Sequence, residues 1–321
     1  MINQDFSWTK KGLIYSLDDR IPWAKSHTQI PTSYLYDPER IRIFFSARDS
    51  QNKSHTTFLD VDSRNPQQIL KIASEPILPL GAPGSFDDQG IMPSSIVRFG
   101  GSIYLYYIGW NVRKPTAYHN AVGLAISHDN GDHFEKMYAG PIMDRNRDEP
   151  FFCATTFIMK EHDLWRNWYL SCTGWVQIQH RLEPRYHLKY AESRDGINWK
   201  RENIIAIDYQ NDIEGGICRA SVTHDSGLYR MWFCYRGIAN YREQKNQSYR
   251  IGYAESVDGI TWERNDSLAG INPSRQGWDS FMQAYPNIID TANQRYMFYN
   301  GNGFGSTGIG LAQWNTNGCK S

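Results

Sequence analysis

Tyr190-Ala-Glu-Ser-Arg-Asp-Gly-Ile-Asn-Trp199 decides how the chain is read, because it returns as Tyr253-Ala-Glu-Ser-Val-Asp-Gly-Ile-Thr-Trp262. Looser copies stand at Leu124-Ala-Ile-Ser-His-Asp-Asn-Gly-Asp-His-Phe134 and, degraded, at Leu59-Asp-Val-Asp-Ser-Arg64. The Asp-Gly step is a tight-turn signal: glycine takes positive φ and aspartate bonds back to the backbone. Working outward, a second phrase lies between these copies, a small polar strand followed by an aromatic one. Pro93-Ser-Ser-Ile-Val97 with Tyr104-Leu-Tyr-Tyr-Ile-Gly-Trp110 is one instance, and Arg219-Ala-Ser-Val222 with Tyr229-Arg-Met-Trp-Phe-Cys-Tyr-Arg236 is another. Five copies anchor at Pro31, Pro93, Ala154, Arg219 and Pro286, at steps of 62, 61, 65 and 67 residues. A period this long, filled with short strands, predicts an all-β chain: a five-bladed β-propeller with one blade per repeat.

The ends of the chain fit that reading. Phe6-Ser-Trp-Thr-Lys-Lys-Gly-Leu-Ile14 resembles Trp199-Lys-Arg-Glu-Asn-Ile-Ile205 without its turn, so it reads as an outer strand with no blade before it. Thr307-Gly-Ile-Gly-Leu-Ala-Gln-Trp314 reads as a third strand with no fourth after it. Joined, the two complete blade five and remove an open sheet edge. The repeat runs from end to end, so residues 1–321 are expected to form one domain.

Composition excludes several classes. Lys plus Arg equals Asp plus Glu at 34 each, so no global field draws the protein to nucleic acid or an anionic membrane. The first residues, Met1 to Trp8, have neither the basic start nor the apolar core of a signal peptide, and no apolar run approaches the roughly 20 residues of a membrane helix. A cytoplasmic protein is expected. Its five cysteines, Cys153, Cys172, Cys218, Cys234 and Cys319, read as free thiols, buried where they fall beside or within predicted strands, and form no zinc pattern. No cofactor is expected; a Ca²⁺ in the channel would need only oxygen ligands and leave no spacing signal. The oligomeric state leaves no trace in the sequence.

Five residues before three consecutive anchors stand Asp88, Glu149 and Glu214. Inner strands of a propeller converge on its axis, so these carboxylates are expected to face one another at the channel mouth. Like charges in a confined space raise at least one pKa, leaving a proton donor beside an ionised group, as glycosidic cleavage requires. Asp87 and Asp148 are one residue away and remain rivals for two of these places. The fifth repeat offers Asp279, and the first offers only Ser26-His27-Thr28-Gln29.

These residues carry a resemblance. Phe86-Asp-Asp-Gln-Gly-Ile-Met-Pro-Ser-Ser95, Arg147-Asp-Glu-Pro150, Glu214-Gly-Gly-Ile-Cys-Arg219 and Trp278-Asp-Ser280 are similar to segments of the five-bladed propeller glycosidases, glycoside hydrolase families 43, 32 and 68, with family 130 phosphorylases as relatives. The resemblance covers the whole length. It implies a transition-state-stabilising acid at Asp148 or Glu149, a general acid at Glu214, and an acid at the head of blade one that this chain lacks. Either Asp88 takes the base or nucleophile role from blade two, or the mechanism differs, or catalysis is lost. The Ser-x-Asp-x-Gly phrase also resembles the Asp-box of six-bladed sialidases, which the count of five repeats disfavours.

Basic and aromatic residues complete the candidate site. Arg48 and Arg236 end aromatic strands and Arg219 sits on an inner strand, where guanidinium groups suit a phosphate or a sugar carboxylate. His27 and Gln29 lie in the acid-free first repeat. Trp110 and Trp175 are placed to stack on sugar rings. Turn-rich insertions, Gly109 to Asn120 and Gly174 to Tyr186, are expected as pocket-shaping loops. The leading expectation is a glycoside hydrolase with Glu214 as acid, Asp88 as base or nucleophile and Glu149 holding the sugar. Alternatives are a phosphorylase or other glycosyl-transferring enzyme relying on Arg48, Arg219 and Arg236, and a non-catalytic sugar-binding propeller. The partner is a carbohydrate, acidic or phosphorylated in the arginine-dependent readings.

Overall fold

A computed structural model describes residues 6–316; Cys319 and the start of the chain, Met1 to Asp5, lie outside the described residues. The chain is almost wholly β: one four-stranded sheet and two eight-stranded sheets, each of the latter consisting of two antiparallel four-stranded units joined by a single parallel bridge, Ser54↔Gly90 and Tyr186↔Gly216. The first unit comprises Ser26–Asp37, Arg40–Arg48, Ser54–Asp62 and Ile69–Ile72. The second comprises Gly90–Phe99, Ser102–Val112, Tyr118–Ser127 and Glu135–Lys136. Cys153–Glu161, Leu164–Ile178, Arg181–Ser193 and Lys200–Ile207 form the third. Glu214–Asp225, Leu228–Gly237, Arg250–Ser256 and Glu263–Arg264 form the fourth. In the fifth, Ala284–Asp290, Arg295–Asn300 and Ile309–Thr316 are joined by the N-terminal strand Phe6–Tyr15, which pairs antiparallel with Ile309–Thr316. No helix among the described residues is long and apolar enough to cross a membrane.

The first strands of units one to five touch one another in order, and that of unit five touches that of unit one. Their small polar residues have a physical reason. Neighbouring inner strands splay too far apart for a continuous ladder, so short side chains take over the bonding. Thr156 N–H donates to Ser94 Oγ at 2.7 Å, Arg219 N–H to Thr155 Oγ1 at 3.0 Å, Ile288 N–H to Ser221 Oγ at 2.8 Å and Ser33 N–H to Asn287 Oδ1 at 2.7 Å. Buried backbone donors must find partners, and these hydroxyls and amides supply them.

The repeated Asp-Gly phrase works between units. Asp195 Oδ1 accepts the backbone N–H groups of Ile197 and Asn198, and Asp258 Oδ1 those of Ile260 and Thr261, each at 2.8 Å. The turn's carbonyl then receives a side chain from the preceding unit: Tyr106 OH reaches Gly196 O at 2.9 Å and Trp168 Nε1 reaches Gly259 O at 2.9 Å. Trp262 crosses Trp168 edge-on at 6.0 Å.

The two turn-rich insertions are hairpins, which corrects the expectation of loops. Strand pairing runs out to Val112↔Tyr118 and to Ile178↔Arg181, so both segments are mostly ladder with short tips. Cys153, Cys172, Cys218 and Cys234 are buried and free, as expected.

Candidate functional site

Four of the candidate acids are held within their own units. Glu149 accepts from Tyr169 OH at 2.7 Å and Ser171 Oγ at 3.0 Å, and lies 3.5 Å from Arg201 and 3.7 Å from Lys189. Glu214 is held by both ends of Arg264, at 2.8 and 2.9 Å. Asp87 takes Lys136 at 2.7 Å and Tyr107 OH at 3.1 Å. Asp279 takes Lys10 at 2.6 Å and Tyr299 OH at 3.0 Å. In four of the five units, therefore, an acid at the approach to the inner strand is tied to a cation on the outer strand of its own unit. Three of these acids also hold a tyrosine twenty residues further on. All four are buried. Among the described residues, no hydrogen bond or ion pair joins Asp88, Glu149 and Glu214, and no three His, Cys, Asp or Glu side chains cluster as metal ligands would. Glu149 and Glu214 stitch the inner strand of their own unit to its outer strand. Asp148 is exposed and lies 3.2 Å from Arg147.

Asp88 behaves differently. It accepts from Gly84 N–H and from Asn111 Nδ2, both at 2.8 Å, and is half-buried. Asn111 lines a cavity of about 270 Å³ together with Arg48, Asn52, Gln89, Trp110 and Tyr118. The structure brings Arg48, Trp110 and, through Asn111, Asp88 to this one mouth. Gln29 joins them, since its Oε1 accepts from Arg48 Nε at 3.2 Å. Asn52 Oδ1 accepts from Arg48 Nη1 at 3.2 Å. Both partners are neutral amides, and among the described residues no carboxylate pairs with Arg48. Burial lowers its pKa. Trp110 and Tyr118 meet at 4.6 Å, forming an aromatic wall.

His27 stands beside this group with φ of 67°, a left-handed conformation that non-glycine residues adopt only where surroundings enforce it. Its Nδ1 bonds Ser26 Oγ at 2.8 Å. Burial, then the Arg48 charge, push its pKa down to about 4. In the unfolded chain the imidazole returns to about 6.5, so that state binds the extra proton between these values. The stability His27 contributes is present above about pH 6.5 and lost as pH falls toward 4. His27→Gln is expected to flatten that part of the acid-side decline, measured as urea midpoints at pH 7 and pH 5. A variant that declines as steeply as the wild type would overturn the assignment.

Arg219 and Arg236 are both buried and bonded to the protein itself. Arg219 is fully buried; it donates to Ser94 O, to Pro31 O at 2.8 Å and to Thr32 Oγ1 at 2.9 Å, so it crosses from unit four to units one and two. Burial pulls its pKa to about 10, and it stays charged at neutral pH. Arg236 donates to Pro184 O, Gly237 O and Tyr186 OH, with its guanidinium 3.8 Å from the Tyr241 ring. Its donors hold the wall. Trp175 lies against Tyr118 at 5.4 Å, outside the Arg48 cavity. Asn52, Gln89 and Asn111 were missed by sequence reasoning; neutral amides carry no charge pattern to mark them.

Comparison with solved structures bears on the fold. A complex of BT0996 with RGII matches at a TM-score of 0.73 and 17% identity, covering 97% of this chain and 93% of that one. A structure described as showing that the GH130 family of mannoside phosphorylases contains glycoside hydrolases targeting β-1,2 mannosidic linkages in Candida mannan matches at 0.69, 15% identity, and 96% and 93% coverage. A thermostable family-43 glycoside hydrolase matches at 0.62, 15% identity, and 91% and 89% coverage. At these identities the likeness is one of fold, and the fold is that of the β-propeller glycosidases, as the sequence resemblance implied. No family model matches the chain. Two uncharacterized proteins of Mycobacterium tuberculosis, MT1551 and Rv1502, are each 37% identical over 306 residues, 95% of this chain and 98% of theirs. The chain belongs to the same family as these two proteins.

Proposed function

We propose that residues 1–321 form one closed five-bladed propeller that acts on a glycoside at the Arg48 mouth, with Arg48 receiving an anion there. The anion is either the phosphate of a phosphorolysis or the acid group of the sugar. The observation that carries this reading is a half-buried guanidinium bonded only to neutral amides beside an aromatic-walled cavity. A charge in that setting is incompletely compensated, and an oxyanion completes it with bidentate, charge-assisted bonds. The Trp110–Tyr118 wall supplies an apolar face for a sugar ring.

The test is a panel of neutral and acidic aryl glycosides and oligosaccharides, with and without phosphate, run on the wild type and on Arg48→Gln. Turnover is expected to require either phosphate or an acidic sugar. Loss of one charged hydrogen-bonding group, about 1.5–3 kcal/mol, lowers kcat/KM in Arg48→Gln roughly ten- to a hundredfold. Phosphate-independent turnover of neutral sugars, untouched by Arg48→Gln, would sink the reading. Anion-dependent sugar binding without turnover would move it to a binding module.

A second reading, hydrolysis, is favoured by the placement of Asp88. It reaches the cavity through Asn111, and its carboxylate is free of cations among the described residues. In that case Asp88→Asn abolishes phosphate-independent turnover.

A further inference from the structure

A second cleft opens on the far side of the Trp110–Tyr118 wall. It has a volume of about 270 Å³, and Tyr118 lines both spaces. Its apolar surface comes from Phe151 and Trp175, its rim from Arg113, Lys114 and Arg145. The side chains of these three cations make no hydrogen bond or ion pair among the described residues. The acids nearby are engaged: Asp144 Oδ1 lies 2.7 Å from His119 Nε2, and Asp148 lies 3.2 Å from Arg147. Arg145 meets Asp144 through its backbone N–H at 2.6 Å, and among the described residues its guanidinium forms no ion pair with that carboxylate. On a chain whose net charge is zero, three cations without ion pairs around one aromatic cleft are a local departure from the mean.

Aromatic lining with a cationic rim matches one ligand chemistry. A sugar ring offers C–H faces to the rings, and a carboxylate or phosphate substituent meets the guanidinium and ammonium groups. The cleft is fixed by its scaffold: Arg113 and Lys114 follow a strand ending at Val112, while Trp175 lies within the paired part of the long third-unit hairpin. Tyr118 is common to this cleft and the Arg48 cavity, so one oligosaccharide passing over it would reach both.

We propose that this cleft is a second sugar subsite, selective for a unit carrying a carboxylate or phosphate, and that the ligand is an acidic oligosaccharide bridging Tyr118. The proposal rests on the carbohydrate reading above but uses residues outside the Arg48 mouth.

The experiment is calorimetric titration of the full chain with tetragalacturonate, with mannotetraose bearing a terminal 6-phosphate, with neutral cellotetraose and with inorganic phosphate. The proteins are the wild type, Trp175→Ala, Arg48→Gln and the triple variant Arg113→Gln/Lys114→Gln/Arg145→Gln, whose changes lie on the exposed rim. At least one acidic tetrasaccharide is expected to bind the wild type. Its affinity should fall at least tenfold in the triple variant, fall again in Trp175→Ala, and weaken as salt is raised. Which acidic probe binds tells carboxylate from phosphate. Inorganic phosphate, small enough for the Arg48 mouth alone, should bind the triple variant as it binds the wild type. The proposal is overturned if neither acidic tetrasaccharide binds the wild type, if the triple variant binds it unchanged, or if cellotetraose binds equally well. An unaffected Arg48→Gln beside a weakened triple variant would remove the central-mouth reading and leave the cleft standing.

Discussion

Arg264→Met is expected to cost about 3–5 kcal/mol of stability, because it strands a buried carboxylate without its counter-charge. Arg264 holds Glu214 through two bonds and Asp266 at 2.7 Å, and both Arg264 and Glu214 side chains are only 8% exposed. Removing the guanidinium leaves two carboxylates facing each other with no cation between them. Urea unfolding measures the loss as a lower midpoint. Glu214→Gln alone should cost less, since Arg264 keeps Asp266, and the double variant Arg264→Met/Glu214→Gln should recover part of the stability lost in Arg264→Met. This series separates the two roles of Glu214. A general acid replaced by glutamine loses rate and keeps its fold; a strut loses stability. An Arg264→Met protein within about 0.5 kcal/mol of the wild type, the range of ordinary surface changes, would refute the strut.

The second large effect is expected at Arg219. Arg219→Ala leaves Ser94 O and Pro31 O without donors and opens a void where units one, two and four meet. An orphaned buried carbonyl costs about 1–3 kcal/mol, and a void adds to this. Against these stands the relief of a desolvated charge with no acid partner, so the net expected loss is about 3 kcal/mol, read again by urea unfolding. Arg219→Lys should not restore it: a single ammonium lacks the fork that reaches two strands at once. A stable Arg219→Ala protein would mean that the inner strands hold together through their serine, threonine and asparagine links alone.

Much of the fold was legible. Asp195 and Asp258 announce turns because each accepts two neighbouring N–H groups, a local event that needs no distant partner. The small polar inner strands announced themselves by composition, and the pairing of Phe6–Tyr15 with Ile309–Thr316 by an unmatched strand at each end. The site was less legible. Counting five back from each anchor found Glu149 and Glu214, but it chose Asp88 over Asp87 and left Asp279 in a different register. A tyrosine twenty residues on marks Asp87, Glu149 and Asp279 alike, and would have shown the acids as a repeated fastening.

The sequence by itself determined the repeat, the turns and the resemblance to propeller glycosidases, because these depend on neighbours within a few tens of residues; the pairing of the two chain ends followed from the unmatched strand at each. Only the tertiary structure decided where side chains at equivalent positions point. The residues before each inner strand arrive from the preceding unit, and their path decides which partners a carboxylate meets. Four acids found cations on outer strands, 50 residues away in the chain for Glu214 and 269 for Asp279, where a buried ion pair offsets the loss of water. Arg48 found neutral amides instead, Gln29 and Asn52.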